Sequence, residues 1–124
     1  NIPLEDIGSK TFNKTDYYPD YAFKVAKQVS KDKNAKGILI CATGTGMAIA
    51  ANKVKNIRAV VTYDARTAKL SREHNNANIL ALPGKNLSFE KIKKILDIWL
   101  KTPFNNEPRH LRRLRKIHNY ENRK

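Results

Sequence analysis

The chain has 124 residues, with 25 lysines and arginines against 11 acids, a formal net charge of +14, and 40% hydrophobic residues. That length and apolar content suit one domain with a core and exclude wholesale disorder. A single cysteine excludes an intrachain disulfide framework and a multi-cysteine metal site, and fits a reducing compartment.

No apolar run approaches the roughly 20 residues that a membrane helix needs, so no membrane partner is expected. The positive charge attracts polyanions, and three readings compete: nucleic acid, a phosphorylated small substrate, or solvated basic faces. Charge alone does not choose among them.

The chain opens at Asn1 on "NIPLEDIG", which reads as the end of a strand, so a preceding segment is expected. Pro19 to Lys31 has an early proline and apolar residues at Tyr21, Val25, Ala26 and Val29, the spacing of a helix. Gly37 to Cys41, "GILIC", is a strand apolar on both faces, and Gly46 to Val54 a short alanine-rich helix. Ile57 to Tyr63 is a second buried strand. Asp64 is placed to cap a helix reaching about His74, with Asn75 and Asn76 suited to ending it. Ile79 to Leu82 is a third strand. Ser88 caps a helix whose Ile92, Ile95, Leu96 and Trp99 share one face.

Strands alternating with helices, and apolar nearly throughout, predict a parallel sheet covered on both faces. Ligands bind beyond the carboxyl ends of such strands. Cys41, Asp64 and Pro83-Gly84 all fall at those ends. After Pro103 the chain becomes strongly basic. Arg109 to His118 is expected as a helix with Leu111, Leu114 and Ile117 along one seam. It could dock on its own domain, a second subunit or RNA.

The stretch "CATGTGMAIAANK" supports three readings. As a dinucleotide turn, Gly44-Thr45-Gly46 opens a helix, and Asp64 stands 20 residues beyond Gly44. The third small position is Ile49, however, whose branched side chain is expected to hold helix and strand apart. As an anion hole, successive amides at a helix start would face one space, with Cys41 beside them as a base. As plain packing, Cys41 is a core filler.

His74 is either a helix-end histidine or an acid–base group reaching the same rim. Asn75 is either a cap or a hydroxyl contact. Arg109 and Arg113 lie one turn apart, forming a phosphate clamp or a solvated face.

The segments "DYYPDYAFKVA", "GILICATGTGMAIAANKVKNIRAVVTYD", "ARTAKLSREHNNANILALPG" and "PRHLRRLRKI" resemble the ribose-5-phosphate isomerase B family, which includes the galactose-6-phosphate isomerase subunits. The resemblance implies a Rossmann-like α/β/α fold with a mostly parallel sheet and a basic C-terminal helix. It also implies a homodimer with its active site at the interface. The implied chemistry interconverts aldose and ketose phosphates through an enediolate, most simply ribose 5-phosphate and ribulose 5-phosphate, with no metal or other cofactor.

By resemblance Cys41 is the proton-transferring base, and Ala42, Thr43, Gly44, Thr45 and Gly46 form the loop whose amides stabilise the enediolate. His74 opens the sugar ring, Asn75 contacts substrate, and Arg109 and Arg113 bind phosphate, with His110 a further candidate.

Three departures stand out. The family's first strand and helix, with its Asp-His-Ala-Gly motif, would precede Asn1. Ala42 replaces a usual glycine and would be strained at positive φ. Lys85 stands near a family arginine, keeping charge but losing the planar fork. Residues 1–102 are read as the isomerase domain and 103–124 as its basic helical extension. A cytoplasmic location is expected, with nucleic acid not expected as partner. The competing function is a polyanion- or RNA-binding α/β module in which Cys41 is packing.

Overall fold

The structure, a computed structural model, describes residues 2–9 and 17–124. Helix α1 (Tyr18–Ser30) carries Pro19 in its first turn and buries Ala22, Ala26 and Val29, whose spacing places them on one face. Strand β1 (Gly37–Cys41) leads into α2 (Thr45–Ala51), then β2 (Ala59–Val61) into α3 (Ala65–Asn75), and β3 (Ile79–Pro83) into α4 (Phe89–Lys101). Helix α5 (Pro108–Glu121) closes the chain.

Among the described residues three strands run parallel in the order β1-β3-β2. Gly37 pairs with Ile79 and Cys41 with Pro83, so β1 and β3 end together. The central strand β3 is buried throughout, as its apolar run requires. Its side chains alternate between layers. Ile79 and Ala81 pack with α1 and α2, among Ala22, Ala26, Leu39, Met47 and Ala51. Leu80 and Leu82 pack with α3 and α4, among Ala68, Ile95 and Trp99. The result is the expected three-layer α/β/α sandwich.

Three sequence expectations are corrected. Residues 2–9 form no strand; Ile2 and Leu4 are exposed, and the Gly8 amide turns back onto the Asp6 carboxylate. Strand β2 is shorter than Ile57–Tyr63, because Ile57 donates to Val54 in the preceding turn and only Ala59–Val61 reach β3. Ile49 does not separate helix from sheet. It is 57% exposed, while Met47, Ala48, Ala50 and Ala51 turn inward. The steric argument against a dinucleotide turn therefore does not hold.

Two caps fall where expected. The Asp64 carboxylate accepts from the Thr67 amide at 2.7 Å, and the Ser88 hydroxyl from the Lys91 amide at 3.2 Å. Asn76 ends α3 in the left-handed conformation. The side chain of Arg72, buried at that end, donates to the carbonyls of Thr102 and Ala77 and to Asn76 Oδ1. It ties α3 to the end of α4.

Candidate active site

One half of the candidate site lies where β1 ends. Beyond the paired strands, the Gly84 amide donates to the Cys41 carbonyl at 2.9 Å, and the Lys85 amide to the Ala42 carbonyl at 3.3 Å. The turn after β3 is thus bonded to the end of β1, which places the Lys85 backbone beside Ala42. Ala42 carries no strain, because among the described residues only Asn56 and Asn76 have positive φ without being glycine. Its replacement of glycine is conformationally free.

From Ala42 the chain crosses over the end of β3. Gly44 adopts φ +80°, the left-handed region where a Cβ is unfavourable. A Cβ there would lie 3.2 Å from the Leu82 carbonyl carbon and 3.2 Å from Val61 Cγ1. The glycine is therefore needed for both its dihedral and its close approach.

Its amide donates to Cys41 Sγ at 3.1 Å, and the Thr45 amide donates to Thr43 Oγ1 at 3.3 Å. An N–H aimed at sulfur is a better partner for thiolate than for thiol. The first bond of α2 runs from the Ala48 amide to the Gly44 carbonyl. The Gly46 and Met47 amides thus precede the helical ladder. Of the amides expected to face an oxyanion, Gly44 and Thr45 are already turned onto neighbours within the loop.

Two tyrosines that sequence reasoning missed frame this loop. Tyr18, at the start of α1, lies against Gly46; a Cβ on Gly46 would be 2.5 Å from its hydroxyl. Tyr63, at the end of β2, donates its hydroxyl to the Thr43 carbonyl at 3.2 Å. The available signal was position: Tyr63 directly precedes the capping Asp64 and so sits at a strand end.

The other half lies elsewhere. Helix α3 begins at the rim, on Asp64, and runs back to the start of β3 over 11 residues, about 16 Å at 1.5 Å per residue. His74 and Asn75 therefore sit at the opposite pole of the sheet from Cys41, not on the same rim as expected. Helix α5 starts beside them. The Asn105 amide donates to the Glu73 carbonyl at 3.0 Å, and the His110 ring stacks on His74 with centroids 4.5 Å apart and planes 18° from parallel.

His110 is 3% exposed, with Nε2 lacking a hydrogen-bond partner among the described residues and the Glu107 carboxylate 3.9 Å away. Burial, then the charges of His74 and Arg109, hold its pKa below the ordinary imidazole value. Arg109 donates to Glu107 Oε2 at 2.9 Å, so it is not a free clamp. A hydrogen bond from the Asn105 side chain, then the Arg109 charge, hold the Glu107 carboxyl below its usual range. Arg113 is exposed one turn further along α5.

One chain thus brings Cys41, Ala42, Thr43, Gly44, Thr45, Gly46 and Lys85 together at one pole. It gathers His74, Asn75, Arg109, His110 and Arg113 at the other. Among the described residues no group of three His, Cys, Asp or Glu could hold a metal ion. No helix there is long and apolar enough to cross a membrane.

Residues 1–117 match the family model described as Ribose/Galactose Isomerase. The chain is 42% identical over 123 residues to the ribose-5-phosphate isomerase B of Escherichia coli, covering 99% of this chain and 81% of that protein. It superposes with a TM-score of 0.91 on the Mycoplasma genitalium ribose-5-phosphate isomerase B, crystallised with bound ribulose-5-phosphate. That match is 43% identical and covers 96% of this chain and 78% of the other. A type B ribose 5-phosphate isomerase from Trypanosoma cruzi gives a TM-score of 0.88 at 44% identity, covering 92% and 75%. With a family match over nearly its whole length, and a backbone that superposes on these solved structures at 43–44% identity, the chain belongs to the ribose/galactose isomerase family.

Proposed function

We propose that this protein is an aldose–ketose isomerase of sugar phosphates, converting ribose 5-phosphate to ribulose 5-phosphate, and that its active site is completed across a homodimer. The observation that carries the dimer is the separation of the two half-sites at opposite poles of one sheet. A single protomer cannot bring His74 to Cys41 without unfolding α3. A partner related by a two-fold axis, with its poles reversed, can.

In this reading Cys41 takes the proton from C2 of the open-chain aldose and returns it to C1. The hydroxyl proton passes between O2 and O1, so no net oxidation occurs. The loop amides of Gly46 and Met47 face the enediolate oxygen, and Gly44 steadies the sulfur. Ala42, Thr43 and Thr45 shape the loop around the substrate, and Lys85 adds positive charge beside it. The partner's pole supplies His74 for ring opening, Asn75 for a hydroxyl, and Arg109 and Arg113 for the phosphate. Arg109 exchanges Glu107 for the phosphate on binding.

Residues 1–102 and 103–124 are one domain in this proposal. The histidine stack supports it, as does the bond from the Asn56 amide to Glu121 at 2.9 Å. A cytoplasmic location completes the reading. The basic surface is assigned to substrate attraction rather than RNA.

The test is ketose formation from ribose 5-phosphate. Cys41→Ala and His74→Ala should each abolish it. Mixing the two inactive variants through unfolding and refolding should restore about a quarter of wild-type activity, because half the dimers are then mixed and each carries one intact site. No restoration, with both variants folded and dimeric, overturns the shared site. A wild-type protein that isomerises no pentose or hexose phosphate overturns the enzyme reading.

A further inference from the structure

We propose that Tyr63 is a positioning residue for Cys41, acting through the Thr43–Gly44 peptide; this rests on the reading of Cys41 as the proton-transferring group. Tyr63 donates to the Thr43 carbonyl at 3.2 Å, and the Gly44 amide donates to Cys41 Sγ at 3.1 Å. The carbonyl and the amide belong to one planar peptide unit. Holding the oxygen at one end therefore aims the N–H at the other. A carbonyl that accepts a hydrogen bond also makes its own N–H a stronger donor, so the two bonds reinforce each other.

The geometry explains why a residue of β2 can act on one after β1. The two strands are not neighbours, since β3 lies between them. The loop closes the gap by crossing over the end of β3, which places Gly44 against Leu82 and Val61. Tyr63 meets it there from the far side.

Its backbone is held on both flanks. Thr62 is 1% exposed, and Asp64 is bonded to Thr67. The ring itself is 44% exposed. A half-exposed ring on a fixed backbone contributes little packing, which leaves the hydroxyl as the informative group. The chain Tyr63 Oη, Thr43 O, Gly44 N, Cys41 Sγ thus links the end of β2 to the thiol through one peptide.

The experiment compares wild type with Tyr63→Phe and with 3-fluorotyrosine placed at position 63 alone. Phenylalanine keeps the ring and removes the donor; the fluorinated phenol is a stronger donor. Three quantities are measured at one neutral pH: alkylation of Cys41 by iodoacetamide, hydrogen exchange of the Gly44 amide, and kcat and KM with ribose 5-phosphate.

In Tyr63→Phe, alkylation should slow by roughly 3- to 10-fold, the share of one neutral hydrogen bond. Gly44 exchange should quicken. Turnover should fall in kcat, with KM changing less than about twofold. Fluorotyrosine should move alkylation and exchange the opposite way, which loss of packing cannot mimic.

Tyr63→Phe alkylating and exchanging at wild-type rates overturns the proposal, whether or not its melting temperature falls. So does fluorotyrosine moving both readouts in the same direction as phenylalanine. Neither alkylation nor exchange requires turnover. A wild-type protein without isomerase activity would thus defeat the functional reading, while the relay is judged on those two readouts.

Discussion

Gly44→Ala tests the loop on which the proposed chemistry depends. At φ +80° an L-residue costs roughly 1–2 kcal/mol relative to its preferred conformations. The new methyl would also lie 3.2 Å from the Leu82 carbonyl carbon and 3.4 Å from that of Ala81. Both belong to the central strand, which is paired on both sides and cannot retreat.

The loop must yield instead, adding at least about 1 kcal/mol of overpacking. The expected loss is roughly 2–4 kcal/mol. With an unfolding entropy near 2.1 cal/mol/K per residue, a loss of about 2 kcal/mol lowers the melting temperature by about 8 °C for a chain of this length. Yielding also draws the Gly44 amide away from Cys41 Sγ, so kcat should fall with it.

Calorimetry and ketose formation measure the two effects. Gly46→Ala is the control. Its methyl would meet Tyr18, whose ring is 52% exposed and can swing outward. It should cost less, and Tyr18→Ala in the same chain should relieve it. Gly44→Ala melting within about 2 °C of wild type would refute the anchored left-handed turn.

His110 should make the fold acid-sensitive. Burial first, then the charges of His74 and Arg109, with Arg113 adding to them and Glu107 opposing, depress its folded pKa. As pH falls through about 6.5, the unfolded chain binds a proton that the folded chain refuses. Stability is therefore fully present above that value and is lost until the folded pKa is passed. His110→Gln should flatten the melting temperature against pH on the acid side of neutrality; an unchanged slope refutes the assignment.

Arg72→Met should cost roughly 3 kcal/mol in urea denaturation, because it strands the buried carbonyls of Thr102 and Ala77. A change below about 0.5 kcal/mol would mean that water replaces the guanidinium. Trp99→Ala, removing a fully buried ring from the α3–α4 layer, should cost about 3–5 kcal/mol, and Trp99→Phe much less.

The parts of the fold legible in the sequence were those set by local chemistry. Asp64 and Ser88 cap their helices because a short polar side chain before an apolar run has one favourable use. The "GILIC" and "ILALP" runs form strands buried between layers because they are apolar on both faces.

What failed depended on facing. Ile49 is a wedge by its place in the motif alone, but the helix's rotation turns it to solvent. Strain at Ala42 depended on a positive φ at that position, whereas the left-handed residue is Gly44. Tyr18 and Tyr63 are not legible in the sequence because each acts on a loop distant along the chain: the packing of α1 on α2 brings Tyr18 to Gly46, and the loop's crossing over the end of β3 brings Thr43 to Tyr63.

The placement of His74 followed from a rule already in use. A parallel sheet sends every connecting helix back from the carboxyl rim to the amino pole. Cys41 ends a strand, and Asp64 starts the helix that leaves the same rim. His74 ends that helix, so it must lie one helix length away.

The same reasoning applies to α5, which begins after α4 has also returned to that pole and then stacks His110 on His74. Cys41 at the rim and Arg109 and Arg113 at the pole cannot touch one small sugar within a protomer. If both act on it, the partner must supply one of them. The proposed dimer therefore rests on the direction of α3 rather than on the half-covered seam of α5, where Ile117 remains 55% exposed. Restored activity on mixing the Cys41 and His74 variants would follow from that direction alone. Failure, with both variants folded and dimeric, would mean that His74 and Cys41 do not meet across a dimer interface.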